Sequence, residues 1–144
     1  MNLYFKRDQQ CFNFKVAAVI RKDNQILLKK NLGDKHYSLP SGSVRFGETT
    51  DYAIKRSLFE DLNIKVKVEK LLSINENFFD YQTDEYHEVL FVYLCEVNEE
   101  IEVHEYEDFD WHELNKLQDM NLKPALNYHD LKKLPQTIAH NVLK

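Results

Sequence analysis

Glycine and proline are scarce, three of each in 144 residues, so the chain has neither the composition of a disordered segment nor that of a linker-rich or collagen-like one. Cysteine is nearly absent. Cys11 and Cys95 stand far apart with no Cys-x-x-Cys pair, which excludes a disulfide framework and suits a reducing compartment. A bond between these two thiols would require the fold to bring them together. No apolar run approaches the roughly 20 residues of a membrane helix, and Lys6, Arg7 and Asp8 interrupt the aromatic N-terminal stretch, so no secretory leader is expected. Positive charge is in deficit, with 19 Lys and Arg against 24 Asp and Glu and a net charge of -5. That balance argues against broad contact with a nucleic-acid duplex, which needs a basic face. It leaves a nucleotide open, because a bound cation inverts the local sign. The six histidines show no helical His-x-x-x-His metal spacing.

What is present is core-forming material. Hydrophobic residues make up 43% of the chain, enough for one packed domain over residues 1–144 in the cytoplasm. Residues 14–20 form an apolar, β-branched run and residues 26–28 another. Between them, Asp23 and Asn24 tolerate the left-handed backbone of a tight turn, so the pair reads as a hairpin. Residues 31–46 are turn-rich and lack helical periodicity. Thr49 and Thr50 then offer hydroxyl caps for a helix whose Ile54, Leu58 and Leu62 recur every four residues, and Asn63 suits its left-handed C-terminal cap. Strands are expected over residues 64–79, 87–97 and 109–111, followed by helical pieces broken at Pro124 and Pro135. Strands, loop, helix, strands and helix in that order predict an α/β domain with a mixed sheet covered by helices on both faces.

Chemistry concentrates between Leu39 and Asn63. Ser57, Glu60 and Asp61 lie three and four positions apart and project from one helix face, opposite the apolar stripe. Arg56 sits one turn before Glu60 and can hold its carboxylate. Adjacent carboxylates beside a loop rich in backbone carbonyls suit Mg²⁺, which takes few protein oxygens and leaves room for water and phosphate. Such a cation neutralises a diphosphate and activates an attacking water. Against this stands the plainer account that acidic pairs are common on solvated helix faces.

The same segment resembles the signature of the Nudix hydrolases, G-x5-E-x7-R-E-U-x-E-E-x-G-U, where U is bulky and aliphatic. Gly42, Glu48, Arg56, Leu58, Glu60 and Ile64 match it without a gap, and Asp61 replaces acid with acid. The preceding hairpin, Leu39-Pro40, and residues 108–111 extend the likeness over most of the chain, thinning after about Asn121. The resemblance implies an α/β/α sandwich with the signature helix packed on a mixed sheet. It implies Mg²⁺- or Mn²⁺-dependent hydrolysis of a nucleoside diphosphate linked to another moiety. Glu60 and Asp61 would be metal ligands, with a carbonyl near Gly42, and Glu48, Arg56 and Glu60 would be the catalytic set. Glu88, Glu105 and Glu107 are candidates for a further acid. A small nucleotide-type substrate and a homodimer are the expected partners.

Three positions depart from the pattern. Ser57 replaces the first helix glutamate, a metal ligand or general base in many members, and its hydroxyl is uncharged at pH 7. Ser41 replaces a glycine, and Arg45 stands where an acid is common. Two functions follow. One is a pyrophosphohydrolase, and the alternative is a weak or inactive module that binds a nucleotide or nucleotide sugar as a sensor. Phe78, Phe79, Tyr81 and Trp111 read first as core and second as base-stacking platforms.

Overall fold

The computed structural model describes residues 1–31, 33, 35–97, 108–126, 131 and 133–144. Among these residues nine strands form one mixed sheet: β1 (Tyr4–Arg7), β2 (Gln10–Lys22), β3 (Gln25–Asn31), β4 (His36–Ser38), β5 (Ser41–Ser43), β6 (Val66–Tyr81), β7 (Asp84–Val97), β8 (Phe109–Glu113) and β9 (Ala139–Leu143). Helix α1 (Thr50–Leu62) lies between β5 and β6, and a 3₁₀ helix (Leu114–Asp119) follows β8. The main path runs β4-β3-β2-β7-β6-β9, with β1 and β5 also pairing β2, and β8 pairing β3. The β2–β7 and β6–β9 pairs are parallel and the remainder antiparallel.

Strand β2 organises the core because both of its faces are covered, which explains its uninterrupted apolar run. Val16, Ala18 and Ile20 pack with Ala53, Ile54, Leu58 and Leu62 of α1. Ala17 and Val19 face the other way, toward Leu90, Val92, Leu114, Leu117 and Leu131. The predicted four-residue stripe of α1 is therefore its buried face. Among the described residues, the second face of the sheet is covered by the 3₁₀ helix and by Leu131 rather than by a second long helix.

The expected hairpin between β2 and β3 is present, with Asp23 at φ 55°. Asn63 caps α1 at φ 53° and ψ 36°, its N–H donating to the Phe59 carbonyl. The hydroxyl cap at the other end is a correction: Thr49 is the N-cap residue but makes no side-chain cap bond. Its hydroxyl is the main reason the Asp51 carboxyl is held below its ordinary value. Thr50 bonds the Tyr93 hydroxyl at 2.5 Å. Three strand expectations are also revised. β2 begins at Gln10 and is preceded by an edge hairpin with β1, turning at Asp8 with φ 55°. β6 and β7 run to Tyr81 and from Asp84, leaving a tighter turn than expected. After Pro135 the chain enters strand β9 rather than a helix, and lies parallel to β6.

Cys11 and Cys95 are both buried and free. Cys11 stands opposite Tyr86 and Cys95 opposite Ile20, at distant points of the β2–β7 ladder, so the fold does not bring them together. Burial, with Glu69 as a lesser cause, pushes the Cys95 thiol up to about 12. Since the thiolate is the reactive form, and since both side chains are buried, neither Cys95, by both causes, nor Cys11, by burial alone, should react with a disulfide reagent at pH 8 in the folded protein, and both should do so in urea. Rapid reaction of either thiol without denaturant would contradict this core.

Candidate functional site

The site grows from the turn that precedes α1. Gly47 adopts φ 85°, a left-handed conformation that glycine takes at no steric cost. This turn lets Glu48 fold back on the loop. The Arg45 N–H donates to Glu48 Oε1 at 2.8 Å, and the Glu48 N–H donates to the Arg45 carbonyl at 3.0 Å. Arg56, on the first half of α1, donates from Nε to Glu48 Oε2 at 2.6 Å and from Nη2 to Glu48 Oε1 at 3.0 Å. Nη2 also reaches the Ser43 carbonyl at 2.8 Å. One guanidinium thus ties strand β5, the turn and the helix together. The two side chains are 14% and 11% exposed. Arg56 beside it holds the Glu48 carboxyl below its ordinary value, and Glu48 in turn raises Arg56.

Glu60 projects one turn further along. Arg56 Nη1 donates to its Oε2 at 3.2 Å, while Arg45 Nη1 and Nη2 approach Oε1 and Oε2 at 3.4 Å each. Asp61 follows on the exposed surface, and no hydrogen bond or ion pair ties it among the described residues. Ser57 is buried between helix and loop, its hydroxyl donating to the Ser41 carbonyl at 3.3 Å. Gly42 lies directly against it: a Cβ there would stand 2.6 Å from Ser57 Cβ and closer still to its hydroxyl. Glycine is required by this approach, not by its backbone angles.

The fold therefore gathers Gly42, Glu48, Arg56, Ser57, Glu60 and Asp61 into one loop-and-helix unit. Both Glu48 oxygens are taken by hydrogen bonds, which makes Glu48 a residue that positions the loop rather than a free base. Glu88 goes elsewhere. It is buried on β7, on the same strand face as Leu90 and Val92 in the second core, and accepts a hydrogen bond from Asn77 at 2.9 Å. Helix α1 packs against the opposite face of β7, through Tyr93 and Cys95. Glu105 and Glu107 lie outside the described residues, as do His104 and His129. The aromatics form cross-strand contacts: Phe78 lies 4.5 Å from His87, Phe79 stacks on Tyr86 at 5.0 Å, and Trp111 packs against the first core. Tyr81 is exposed and meets Tyr86 edge-on. Arg45 is the site residue that sequence reasoning undervalued, since only a departure from the family pattern pointed to it.

A cation would find two carboxylates, Glu60 and Asp61, on the helix whose Ser57 meets the Ser41–Gly42 backbone. No group of three or more His, Cys, Asp or Glu side chains converges among the described residues. Two carboxylates and a carbonyl still fit one Mg²⁺, which keeps several waters and shares phosphate oxygens with its substrate. They do not offer the richer anionic set that a glutamate at position 57 would supply.

Glu48→Gln should lower stability by about 2 kcal/mol, between the values for exposed and buried pairs, because it leaves Arg56 covered and half-paired. The sign with pH follows from the lowered carboxyl. Its contribution is full above about pH 5 and fades as pH falls below about 4. Urea melts of both proteins from pH 7 to 3 should converge at the acid end, and a constant gap would refute the assignment. Gly42→Ala should cost about 1–3 kcal/mol by overpacking against Ser57, independent of pH.

Comparison with known proteins agrees with this geometry. The NUDIX domain matches residues 12–134. An RNA pyrophosphohydrolase of Aeromonas hydrophila is 30% identical over 76 residues, 52% of this chain and 43% of the relative. An ADP-ribose pyrophosphatase of Methanocaldococcus jannaschii is 37% identical over 62 residues, 41% of this chain and 37% of the relative. The chain thus spans less than half the length of these curated relatives. Among solved structures, a NUDIX hydrolase from Nitrosomonas europaea superposes with TM-score 0.68 at 14% identity, covering 92% of this chain and 79% of its own. A UDP-X diphosphatase superposes with TM-score 0.63 at 22% identity, covering 88% and 66%. These likenesses identify the architecture as the Nudix α/β/α sandwich. With the domain match running from β2 to beyond the 3₁₀ helix, the chain belongs to the NUDIX family.

Proposed function

We propose that this protein hydrolyses the diphosphate linkage of a nucleoside diphosphate joined to another moiety, using a divalent cation, Mg²⁺ or Mn²⁺. The observation that carries the reading is the exposed Glu60–Asp61 pair on a helix locked to its loop by Arg56 and Glu48. The two curated relatives support the reaction class, since both are named for pyrophosphate chemistry.

Glu60 and Asp61 would hold the cation, with a carbonyl of the Ser41–Gly42 backbone. When bound, it would neutralise phosphate oxygens and lower the pKa of an attacking water. Arg56 fixes the spacing of loop and helix, so the ligand oxygens are aligned before substrate arrives. Glu48 keeps Arg56 in place, and its paired oxygens leave it unsuited to accept a proton. Ser57 supplies no charge, so a proton leaving the water must go to another acid or to bulk solvent.

Ser57 also favours a second reading, in which the domain binds a nucleotide or nucleotide sugar as a sensor with little turnover. Its hydroxyl is buried and turned onto the Ser41 carbonyl, where a carboxylate would extend the site.

A hydrolysis screen over nucleoside di- and triphosphates, dinucleoside polyphosphates and nucleotide sugars separates the two. Enzyme action predicts turnover by the native protein that Glu60→Gln lowers by at least about 10²-fold and Ser57→Glu raises, by amounts typical of a gained or lost acid-base group. A silent native protein beside an active Ser57→Glu variant, with a nucleotide bound by the native protein, would make the sensor the better reading. Silence from both, with no nucleotide bound, would refute both readings.

A further inference from the structure

Two arginines meet at Glu60, and they are held differently. Arg56 is firmly held: its Nε, Nη1 and Nη2 make four hydrogen bonds within 3.2 Å, and its side chain is 14% exposed. It cannot leave without releasing the loop. Arg45 has its backbone pinned through Glu48 on both sides, yet its side chain is 44% exposed. Its two Nη atoms reach Glu60 only at 3.4 Å, the outer edge of hydrogen-bond distance. The base of this side chain is fixed and its tip is loosely tethered.

Arg45 also covers both oxygens of a carboxylate that a cation would need. A cation taking Oε1, the oxygen that Arg45 Nη1 reaches, would compete with Arg45 and leave the Arg56 contact to Oε2 in place. The displaced guanidinium would stand at the rim of the same loop, with a planar fork of donors suited to phosphate oxygens. Charge points the same way. Arg45 and Arg56 contact Glu48 and Glu60, and Asp61 follows on the same helix, two positive groups and three negative, so the unit carries a formal charge of -1. With serine at position 57, a single divalent cation already makes the unit positive, and Arg45 adds a second, protein-borne charge for the substrate.

We propose that Arg45 is a phosphate-binding residue of this site: it rests on Glu60 in the unliganded protein and transfers to the diphosphate when a cation occupies Glu60. The proposal rests on the metal-dependent reading of the site given above, and assigns Arg45 part of the neutralising charge there.

The test is calorimetric and needs no turnover. Mn²⁺ alone is titrated into native, Arg45→Ala and Arg45→Lys proteins, then α,β-methylene-ADP is titrated at saturating Mn²⁺. Freeing Glu60 from a half-exposed ion pair should tighten Mn²⁺ binding to Arg45→Ala by about two- to fivefold. Loss of a charge-assisted contact should weaken binding of the analogue by about tenfold or more, with Arg45→Lys recovering part of it. Tighter Mn²⁺ with unchanged analogue affinity, or no change in either, would overturn the proposal and leave the hydrolase reading standing. Weaker Mn²⁺ and weaker analogue together would mark Arg45 as structural, which also overturns it. If the native protein binds no Mn²⁺, and Glu60→Gln therefore changes nothing, the metal-dependent reading falls and takes this proposal with it.

Discussion

The contact on which the site depends is the ion pair between Arg56 and Glu48, closed by the Arg56 bond to the Ser43 carbonyl. A helix packed on a sheet is positioned along its apolar stripe, but nothing in that stripe sets where the preceding loop lies. The guanidinium does so through its geometry. Its fork holds both oxygens of one carboxylate and a backbone oxygen in one plane, a task that an ammonium point charge could not perform. This link sets the β5–α1 turn and Glu60 relative to each other. The pair is covered but lies close to the surface, so its role is better described as register than as stability.

Below that link, rigidity comes from β2. Strand pairing on both edges and apolar cover on both faces constrain it tightly. β5 pairs directly with β2 through Ser41, Gly42 and Ser43, and α1 packs on the face of β2 that carries Val16, Ala18 and Ile20. The loop and the helix are thus two attachments to one strand. A site built this way has little freedom in its backbone, and any adjustment on ligand binding falls to exposed side chains such as Arg45 and Asp61.

Local chemistry made the functional half of the molecule readable in advance. The four-residue stripe of α1, Asn63 as its cap and the gapless spacing from Gly42 to Ile64 are all encoded within short windows. What was not readable is non-local. β1 is an exposed edge strand of mixed aromatic and charged residues, recognisable only once β2 is there to pair with it. β9 follows Pro135 and carries no distinctive alternation, and what makes it a strand is the edge of β6, more than sixty residues earlier. Thr49 is the N-cap residue without a hydroxyl cap bond, and its hydroxyl acts on the Asp51 carboxyl instead. Glu88 looked available as an acid on a strand, but strand alternation sends it to the face away from α1.

Ser57 and Gly42 show why the altered signature still folds. Closing the loop onto the helix leaves no space for a side chain at 42, and that demand is the same whether serine or glutamate occupies 57, since the approach is to the Cβ and the first atom beyond it. Serine satisfies the packing and returns a hydrogen bond to the Ser41 carbonyl, so folding exerts no pull toward an acid at that position. The geometry of the loop and the charge of the site are therefore separable. The first is held by Gly42, Arg56 and Glu48, which match the family pattern. The second is set by positions 45 and 57, and both have shifted toward positive. Loss of a carboxylate and gain of a guanidinium act on the same quantity, the field felt by a diphosphate at Glu60. On the metal-dependent reading proposed above, a site altered in that direction would still suit an anionic ligand while asking less of its cation.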